Sequence, residues 1–200
     1  MEGQLSDIIR SEFAKSVALL QLMAVDKELE ATVVRVVELC KQALAKGNKI
    51  MFAGNGGSAA DAQHWAGELV SRFNFDRPGL PAIALTTDSS ILTAIGNDYG
   101  YDYVFARQVE ALARPGDVLF VITTSGGSKN ILRAVTAARA GEVSVVGFTG
   151  QRGLDFAALC DLCFVVPSLE TPKIQEGHEF LGHLICGLIE HEVFGGPGRA

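Results

Sequence analysis

Two residues with complementary chemistry, His64 and Glu68, stand four positions apart in residues 58–73, which we predict to form a helix. Residues at this spacing share one helix face, so the pair could hold a metal ion or act as an acid–base pair. The apolar neighbours of Glu68 leave another interpretation open, in which its carboxylate is simply solvated at the surface. The spacing indicates a candidate site without choosing its role.

A glycine-rich turn at residues 54–57 separates a predicted strand from this helix. Glycines let the backbone approach a ligand closely, and the free N–H groups of a first helical turn attract anions. Ser58 and Asp61 have the spacing of a capping box. The stretch therefore predicts an anion site directly before the His64–Glu68 pair.

A second loop, residues 123–128, also follows a predicted strand and precedes a predicted helix. It carries four hydroxyls, those of Thr123, Thr124, Ser125 and Ser128. Neither loop matches the P-loop or dinucleotide-binding pattern. We interpret the second loop as a cradle for a monoester phosphate. An ordinary strand-to-helix turn with a serine cap is the alternative.

The last predicted helix, residues 174–194, contains three of the four histidines. His183 lies among leucines and isoleucine, so we expect it to be buried or in a cleft. The alternative to a functional role is a histidine that is simply packed in the core. His178 and His191 lie among glutamates and are expected to be solvated. Asn97 and Asp98 interrupt a helical pattern and suit either a tight turn or the binding of sugar hydroxyls.

The elements that position these residues alternate between short apolar strands and helices. The predicted strands cover residues 50–53, 82–85, 118–123, 144–148 and 163–166, with helices at about 58–73, 89–96, 103–113 and 128–140 and a weak turn at 153–159. Strands of this kind are covered on both faces, which predicts an α/β fold with a doubly wound parallel sheet of about five strands. Residues 1–200 read as one domain, with an N-terminal helical hairpin within 1–48 and an α/β core with the final helix in 49–194.

Composition narrows the functional classes. The net charge of −6 and the lack of a basic run argue against a nucleic-acid binder. No apolar run reaches the roughly 18 residues of a membrane span, and the N-terminus has no signal pattern, so we expect a cytoplasmic protein without a membrane partner. Cys160 and Cys163 form a C-x-x-C, but they lead into an apolar strand without a second such pair. We predict buried, reduced thiols there.

Four motifs, at residues 54–69, 77–98, 116–130 and 173–183, carry a resemblance over nearly the whole chain. The chain resembles the sugar isomerase (SIS) domain superfamily and, within it, the phosphoheptose isomerase family. The resemblance implies an aldose–ketose isomerase that converts D-sedoheptulose 7-phosphate to D-glycero-D-manno-heptose 7-phosphate through an enediol(ate). This reaction is the first step toward nucleotide-activated heptose for lipopolysaccharide or other surface glycans.

The resemblance also implies residue roles. Glu68 is similar to the base and His183 to its acid–base partner. One zinc ion per active site is implied, with His64, Glu68, Gln175 and His183 as ligands. The implied substrate-binding residues are Asn55, Gly56, Gly57, Ser58, Glu68, Asn97, Asp98, Thr123, Thr124, Ser125, Ser128 and Gln175. Family members are homotetramers with active sites between subunits.

The implied ligand set raises a geometric question. Gln175 and His183 are eight residues apart, about 12 Å of rise on one helix, whereas zinc bonds to nitrogen and oxygen are only about 2.0–2.2 Å long. Either Gln175 precedes the helix or the ligands come from two subunits, and we favour two subunits. Gly127 and Lys173 depart from the residues common in the family, Asn and Arg.

Two other functions remain open. A relative within the superfamily is a non-catalytic tetrameric scaffold that binds the bacterial replication initiator, and it shares much of residues 72–98. At the position that matches His183 of this chain, the resemblance implies Asn in the scaffold. Other SIS activities, such as amino-sugar phosphate isomerases or sugar-phosphate sensors, share the loops but not the run at residues 63–68.

Overall fold

A five-stranded parallel sheet with strand order β2-β1-β3-β4-β5 forms the centre of the fold. The computed structural model describes residues 2–195. The strands are β1 (Ile50–Gly54), β2 (Ala82–Ala84), β3 (Val118–Ile122), β4 (Ser144–Gly150) and β5 (Leu162–Val166). Every residue of β1 and β3 is buried, because these inner strands are covered on both faces. The predicted doubly wound sheet is confirmed.

Eight α-helices surround the sheet within the described residues. They are α1 (Glu2–Ala24), α2 (Lys27–Ala45), α3 (Gly57–Val70), α4 (Ser89–Asp98), α5 (Ala106–Leu112), α6 (Lys129–Ala140), α7 (Leu154–Ala157) and α8 (Thr171–Phe194). The predicted N-terminal helical hairpin is α1 followed by α2. Between residues 2 and 195, no helix combines the length and apolar character needed to cross a membrane.

The strands place alternate side chains in two separate cores. Phe52 of β1 packs with α2, α3 and α8, whereas the neighbouring Met51 packs with α5 and α6 on the other face. This alternation follows from the two-residue period of a strand. Both α3 and α8, which carry the candidate chemistry, therefore lie on the same side of the sheet.

The strand order reverses between β1 and β3. The chain runs from β1 outward to β2 and then returns to β3 on the other side of β1. Ligands of open α/β sheets bind at the carboxyl ends of strands at such a reversal. The glycine-rich loop after β1 and the hydroxyl-rich loop after β3 are the two loops at this position.

Several local expectations are wrong. Helix α3 begins at Gly57 behind Gly56 without a side-chain cap, so Ser58 and Asp61 form no capping box. Of the two alternatives for Asn97 and Asp98, the tight turn is excluded, because they are the last two residues of α4. His178 is fully buried, because its position on α8 faces the sheet despite its glutamate neighbours. Cys160 and Cys163 are free thiols but only half-buried.

Candidate active site

His64 and Glu68 lie on one face of α3, at the edge of the protein interior. The Nε2 atom of His64 is 3.0 Å from Oε1 of Glu68. The two side chains are 46% and 21% exposed, so both are reachable by a ligand while their helix is held by buried Trp65 and Leu69. The structure therefore presents them as a pair at the surface of a fixed helix.

His183 of α8 completes a three-residue group with this pair. Its Nε2 atom is 3.3 Å from Nε2 of His64, and the two rings meet edge to face with their centroids 4.8 Å apart. Phe73 stacks on the other side of the His183 ring at 5.5 Å. The side chain is 39% exposed, which places His183 in an open cleft and not in the core.

Glu179 joins the group, although it is not among the site residues predicted from the sequence. Its Oε1 atom lies 2.7 Å from Nδ1 of His64 and 3.4 Å from Nε2 of His183. Its Oε2 atom accepts a hydrogen bond of 3.0 Å from the indole N–H of Trp65. The signal was available, because Glu179 precedes His183 by the same four residues that separate His64 from Glu68.

The side chains of the group suit a divalent metal ion such as zinc. Tetrahedral zinc with bonds of about 2.1 Å holds its ligand atoms about 3.4 Å apart. Nε2 of His64 lies 3.0 Å from Oε1 of Glu68 and 3.3 Å from Nε2 of His183. Ligand atoms of His64, Glu179 and His183 also lie within 4.8 Å of one another. Two imidazoles and carboxylates at these separations fit the donor set that zinc prefers.

Gln175 lies beside the first loop. It belongs to the continuous helix α8, so the option that it precedes the helix is excluded. Its side-chain amide packs against Gly57, where a Cβ atom would meet Nε2 of Gln175 at 2.5 Å. The absence of a side chain at residue 57 thus makes room for Gln175 at the start of α3.

A pair of asparagines joins the two loops. Asn55 and Asn130 exchange two side-chain hydrogen bonds of 2.9 and 2.8 Å, and the hydroxyl of Tyr101 donates to Asn55 at 3.2 Å. Asn130 is buried at the start of α6. The loops after β1 and β3 are therefore held together at the strand reversal, and Asn130 is not among the site residues predicted from the sequence.

The hydroxyl-rich loop is ordered by its own side chains. Oγ1 of Thr123 and Oγ of Ser128 are 3.3 Å apart, and Oγ of Ser125 accepts a hydrogen bond from the Gly127 N–H at 3.2 Å. Gly126 has φ +71°, a left-handed conformation that favours glycine. Thr124 is half-buried and Ser125 exposed. The loop can therefore offer hydroxyls and N–H groups to a phosphate.

Asn97 and Asp98 lie at the exposed end of α4. Their side chains are hydrogen-bonded to each other at 2.7 Å. Tyr101, which begins the short 3-10 turn after α4, is the neighbouring residue that reaches Asn55. Sugar binding by Asn97 and Asp98 stays a prediction.

A buried ion pair fixes the segment that carries Phe73. Glu190 of α8 is fully buried, and its carboxylate accepts hydrogen bonds from the backbone N–H groups of Phe73 and Asn74 at 2.8 and 2.7 Å. Arg77 donates to the same carboxylate at 3.0 Å and to the carbonyl oxygen of Glu68 at 2.7 Å. This pair holds the ring of Phe73 against His183.

Asp61 has an altered acidity beside the group. Burial and, to a lesser extent, the nearby carboxylate of Glu179 raise the pKa of its carboxyl to about 6, while His64 opposes the shift. Its Oδ2 atom is buried without a hydrogen-bond partner. This carboxyl belongs to the surroundings of His64 and not to a helix cap.

Comparison with known proteins agrees with this architecture. The SIS domain family matches residues 12–150. The chain is 57% identical to the phosphoheptose isomerase of Burkholderia pseudomallei over 98% of this chain and 99% of that protein, and 50% identical to that of Aneurinibacillus thermoaerophilus over 95% and 96%. The solved phosphoheptose isomerase from Neisseria gonorrhoeae superposes with a TM-score of 0.86 at 44% identity, covering 93% of this chain and 98% of that one. The one from Francisella tularensis gives 0.88 at 38% identity, covering 92% and 97%.

Proposed function

Because the chain belongs to the SIS domain family and, within it, to the phosphoheptose isomerases, we propose that it converts D-sedoheptulose 7-phosphate to D-glycero-D-manno-heptose 7-phosphate. We assign this reaction to the cytoplasm, as the first step toward nucleotide-activated heptose. One observation supports it most directly: Nε2 of His64 lies 3.0 Å from Oε1 of Glu68 and 3.3 Å from Nε2 of His183. The glycine-rich loop after β1 leads directly into α3, the helix that carries the first two of these residues.

The phosphate binds in the loop after β3. Hydroxyls of Thr123, Thr124, Ser125 and Ser128 and the N–H groups at the start of α6 supply its hydrogen bonds. The loop after β1, through Asn55, Gly56, Gly57 and Ser58, binds the sugar together with Asn97, Asp98 and Gln175. Holding the phosphate at one end fixes the reacting carbons at the other, which removes much of the entropic cost of reaction.

Glu68 moves the proton between the two carbons. Its carboxylate takes the proton from C1 of the open-chain ketose, the C1–H electron pair becomes the C1–C2 double bond, and the C2 oxygen gains a proton to give the enediol. Glu68 then returns its proton to C2 while the C1 hydroxyl loses its own proton, which leaves an aldehyde at C1. His183 is the acid and base for these oxygen protons.

His64, Glu68 and His183 hold a zinc ion in this proposal, with Gln175 as a further ligand from a neighbouring subunit. When bound, zinc supplies a Lewis acid for the negative charge that develops on the two oxygens. A carboxylate bound to a cation is less basic, so ligand and base are partly competing roles for Glu68. Gln175 lies two helical turns from His183 on α8, which supports ligands from two subunits.

The resemblance to the phosphoheptose isomerases implies a homotetramer with active sites between subunits, and we include this assembly in the proposal. Helix α1 exposes Leu5, Phe13 and Val17 by more than half of their surface, and Phe180 and Leu184 of α8 are also exposed. Apolar patches of this kind mark contact surfaces. Light scattering is expected to give a tetramer, and a fully active monomer would contradict the shared site.

Proton exchange at the substrate tests the function. In D₂O with sedoheptulose 7-phosphate, the protein is expected to form aldose and to incorporate deuterium at the exchanging carbons, as followed by NMR. Chelation is expected to reduce the rate and zinc to restore it. Glu68→Gln is expected to lower turnover by at least about 10²–10⁴-fold while the variant still binds the sugar phosphate.

The matched control is Glu192→Gln, an exposed glutamate of α8, which is expected to keep full activity. Retained turnover in Glu68→Gln would assign the base to another residue. A folded wild-type tetramer without exchange or product would favour the scaffold that binds the replication initiator.

A further inference from the structure

Glu179 stands between two groups that differ in their hydrogen-bonding capacity. On one side the indole N–H of Trp65, a fully buried residue, donates to Oε2 at 3.0 Å. On the other side Oε1 lies 2.7 Å from Nδ1 of His64. Because an indole can only donate, its bond fixes the orientation of the carboxylate, and Oε1 is left as an acceptor that faces His64.

The contact with Glu179 determines which nitrogen of His64 faces the cleft. A carboxylate oxygen 2.7 Å from Nδ1 requires the proton of the ring to lie on Nδ1. The lone pair of the neutral ring is then on Nε2. That atom faces Oε1 of Glu68 at 3.0 Å and Nε2 of His183 at 3.3 Å.

The same contact argues against Glu179 as a direct ligand. An imidazole coordinates one metal ion through one nitrogen, and ligating histidines donate their other ring N–H to a carboxylate or carbonyl. Nδ1 of His64 makes the short contact with Glu179, whereas Nε2 faces Glu68 and His183. The longer contact of 3.4 Å from Glu179 to His183 adds a second histidine to the surroundings of the same carboxylate.

We propose that Glu179 is a positioning residue: held by Trp65, it accepts the Nδ1–H hydrogen bond of His64 and so directs the Nε2 lone pair of that histidine toward Glu68 and His183. This inference rests on the proposed function only for the identity of the bound ion. It assigns to Glu179 the orientation and tautomer of His64 and no direct contact with the sugar.

Zinc affinity is the first test. Protein stripped with chelator is titrated with zinc in competition with a chromophoric chelator. Loss of an outer carboxylate partner weakens metal binding by about 10–100-fold. We expect this loss in Glu179→Leu, which removes the acceptor, and a smaller loss in Glu179→Gln, which keeps an oxygen but not the charge. Glu176→Gln, an exposed neighbour on the same helix, is the matched control and is expected to bind zinc like the wild type.

The Nδ1–H signal of His64 is the second test, independent of turnover. In zinc-loaded protein labelled with ¹⁵N-histidine, we expect this proton to be protected from exchange with water, and the protection to be lost in Glu179→Leu at an unchanged melting temperature. Wild-type affinity together with a protected Nδ1–H in Glu179→Leu would overturn the proposal. A loss beyond about 1,000-fold with the Nδ1–H still protected would make Glu179 a ligand and overturn it as well. Either result would leave isomerase activity in the wild type as a separate finding.

Discussion

Glu179 and Glu190 are the same residue type on the same face of α8, three helical turns apart, yet their surroundings differ. Eleven residues correspond to about three turns of 3.6 residues, so both carboxylates face the α3 side. Glu190 is 0% exposed and Glu179 is 31% exposed. The comparison separates what burial does to a carboxylate from what its partners do.

The partners of Glu190 neutralise its charge. Burial alone would raise its pKa, but the backbone N–H groups of Asn74 and Phe73 and the Arg77 guanidinium lower the pKa below its usual value. Glu179 instead contacts an indole and two imidazoles, none of which is a permanent cation. The carboxylate of Glu190, paired with a permanent cation, stabilises the fold. The carboxylate of Glu179 has no permanent cation beside it, so it is available to accept a hydrogen bond from a histidine of the site.

The largest expected effect comes from breaking the pair of Glu190. Glu190→Gln removes the carboxylate and leaves Arg77 as an uncompensated buried charge, since the arginine is itself only 2% exposed. Breaking a buried ion pair in this way costs about 3–5 kcal/mol of unfolding free energy. Chemical denaturation at neutral pH, followed by circular dichroism, measures the loss.

Glu192→Gln is the matched control, because this glutamate lies two residues further on α8, is exposed, and pairs with Lys41 at the surface. Its unfolding midpoint is expected to stay at the wild-type value. If Glu190→Gln unfolded at the same midpoint as the control, the Arg77 cluster would not stabilise the fold and the contrast with Glu179 would disappear.

His178 shows what burial does on α8 without a charged partner. It is fully buried, and burial lowers its pKa to about 4, while the carbonyl oxygen of Thr149, which faces its Nε2, opposes the shift. An unfolded histidine titrates near 6.5. The unfolded chain therefore takes up a proton that the folded state excludes, and stability falls as the pH drops from about 6.5 toward 4. Between pH 7.5 and 5 this costs about 2 kcal/mol.

His178→Gln isolates this contribution, because glutamine does not titrate. Asp61 works in the opposite direction: its raised pKa means that the folded state gains a proton first, which stabilises the fold as the pH falls below about 6. In the wild type the two effects partly cancel, so its unfolding free energy changes less with pH than His178 alone would predict. The free-energy difference between wild type and variant is expected to shift by about 2 kcal/mol in favour of the variant between pH 7.5 and 5. A constant difference would mean that His178 takes up its proton at the same pH in the folded and unfolded states.

The sequence predicts the parts of this molecule that depend on local pattern. The sheet follows from short apolar runs that alternate with helices, and the pairing of His64 with Glu68 follows from a spacing of four residues. The contact between His64 and His183 spans 119 residues of chain and depends on how α3 packs on α8, which spacing cannot show. The resemblance to known isomerases predicts a site role for His183, but it predicts none for Glu179.

The surroundings of His178 and Asn130 could not be predicted from the sequence. The glutamates around His178 suggest a solvated position, whereas the direction in which α8 faces the sheet buries it. Asn130 gains its role from Asn55, 75 residues earlier, because the strand reversal brings two loops together. Side-chain surroundings of this kind are set by tertiary packing, which overrides the polarity of sequence neighbours.

Replacing Glu179 is expected to have the smallest effect on stability. Glu179→Gln is expected to lower the unfolding free energy by about 1 kcal/mol or less, because a partly exposed carboxylate with hydrogen-bonded partners contributes little to stability. The residue is about a third exposed and leaves no buried cation behind when its charge is removed. The same denaturation series that measures Glu190→Gln provides the value. A loss as large as that of Glu190→Gln would make Glu179 a structural carboxylate, and any change in zinc binding would then report a disturbed fold and not the orientation of His64.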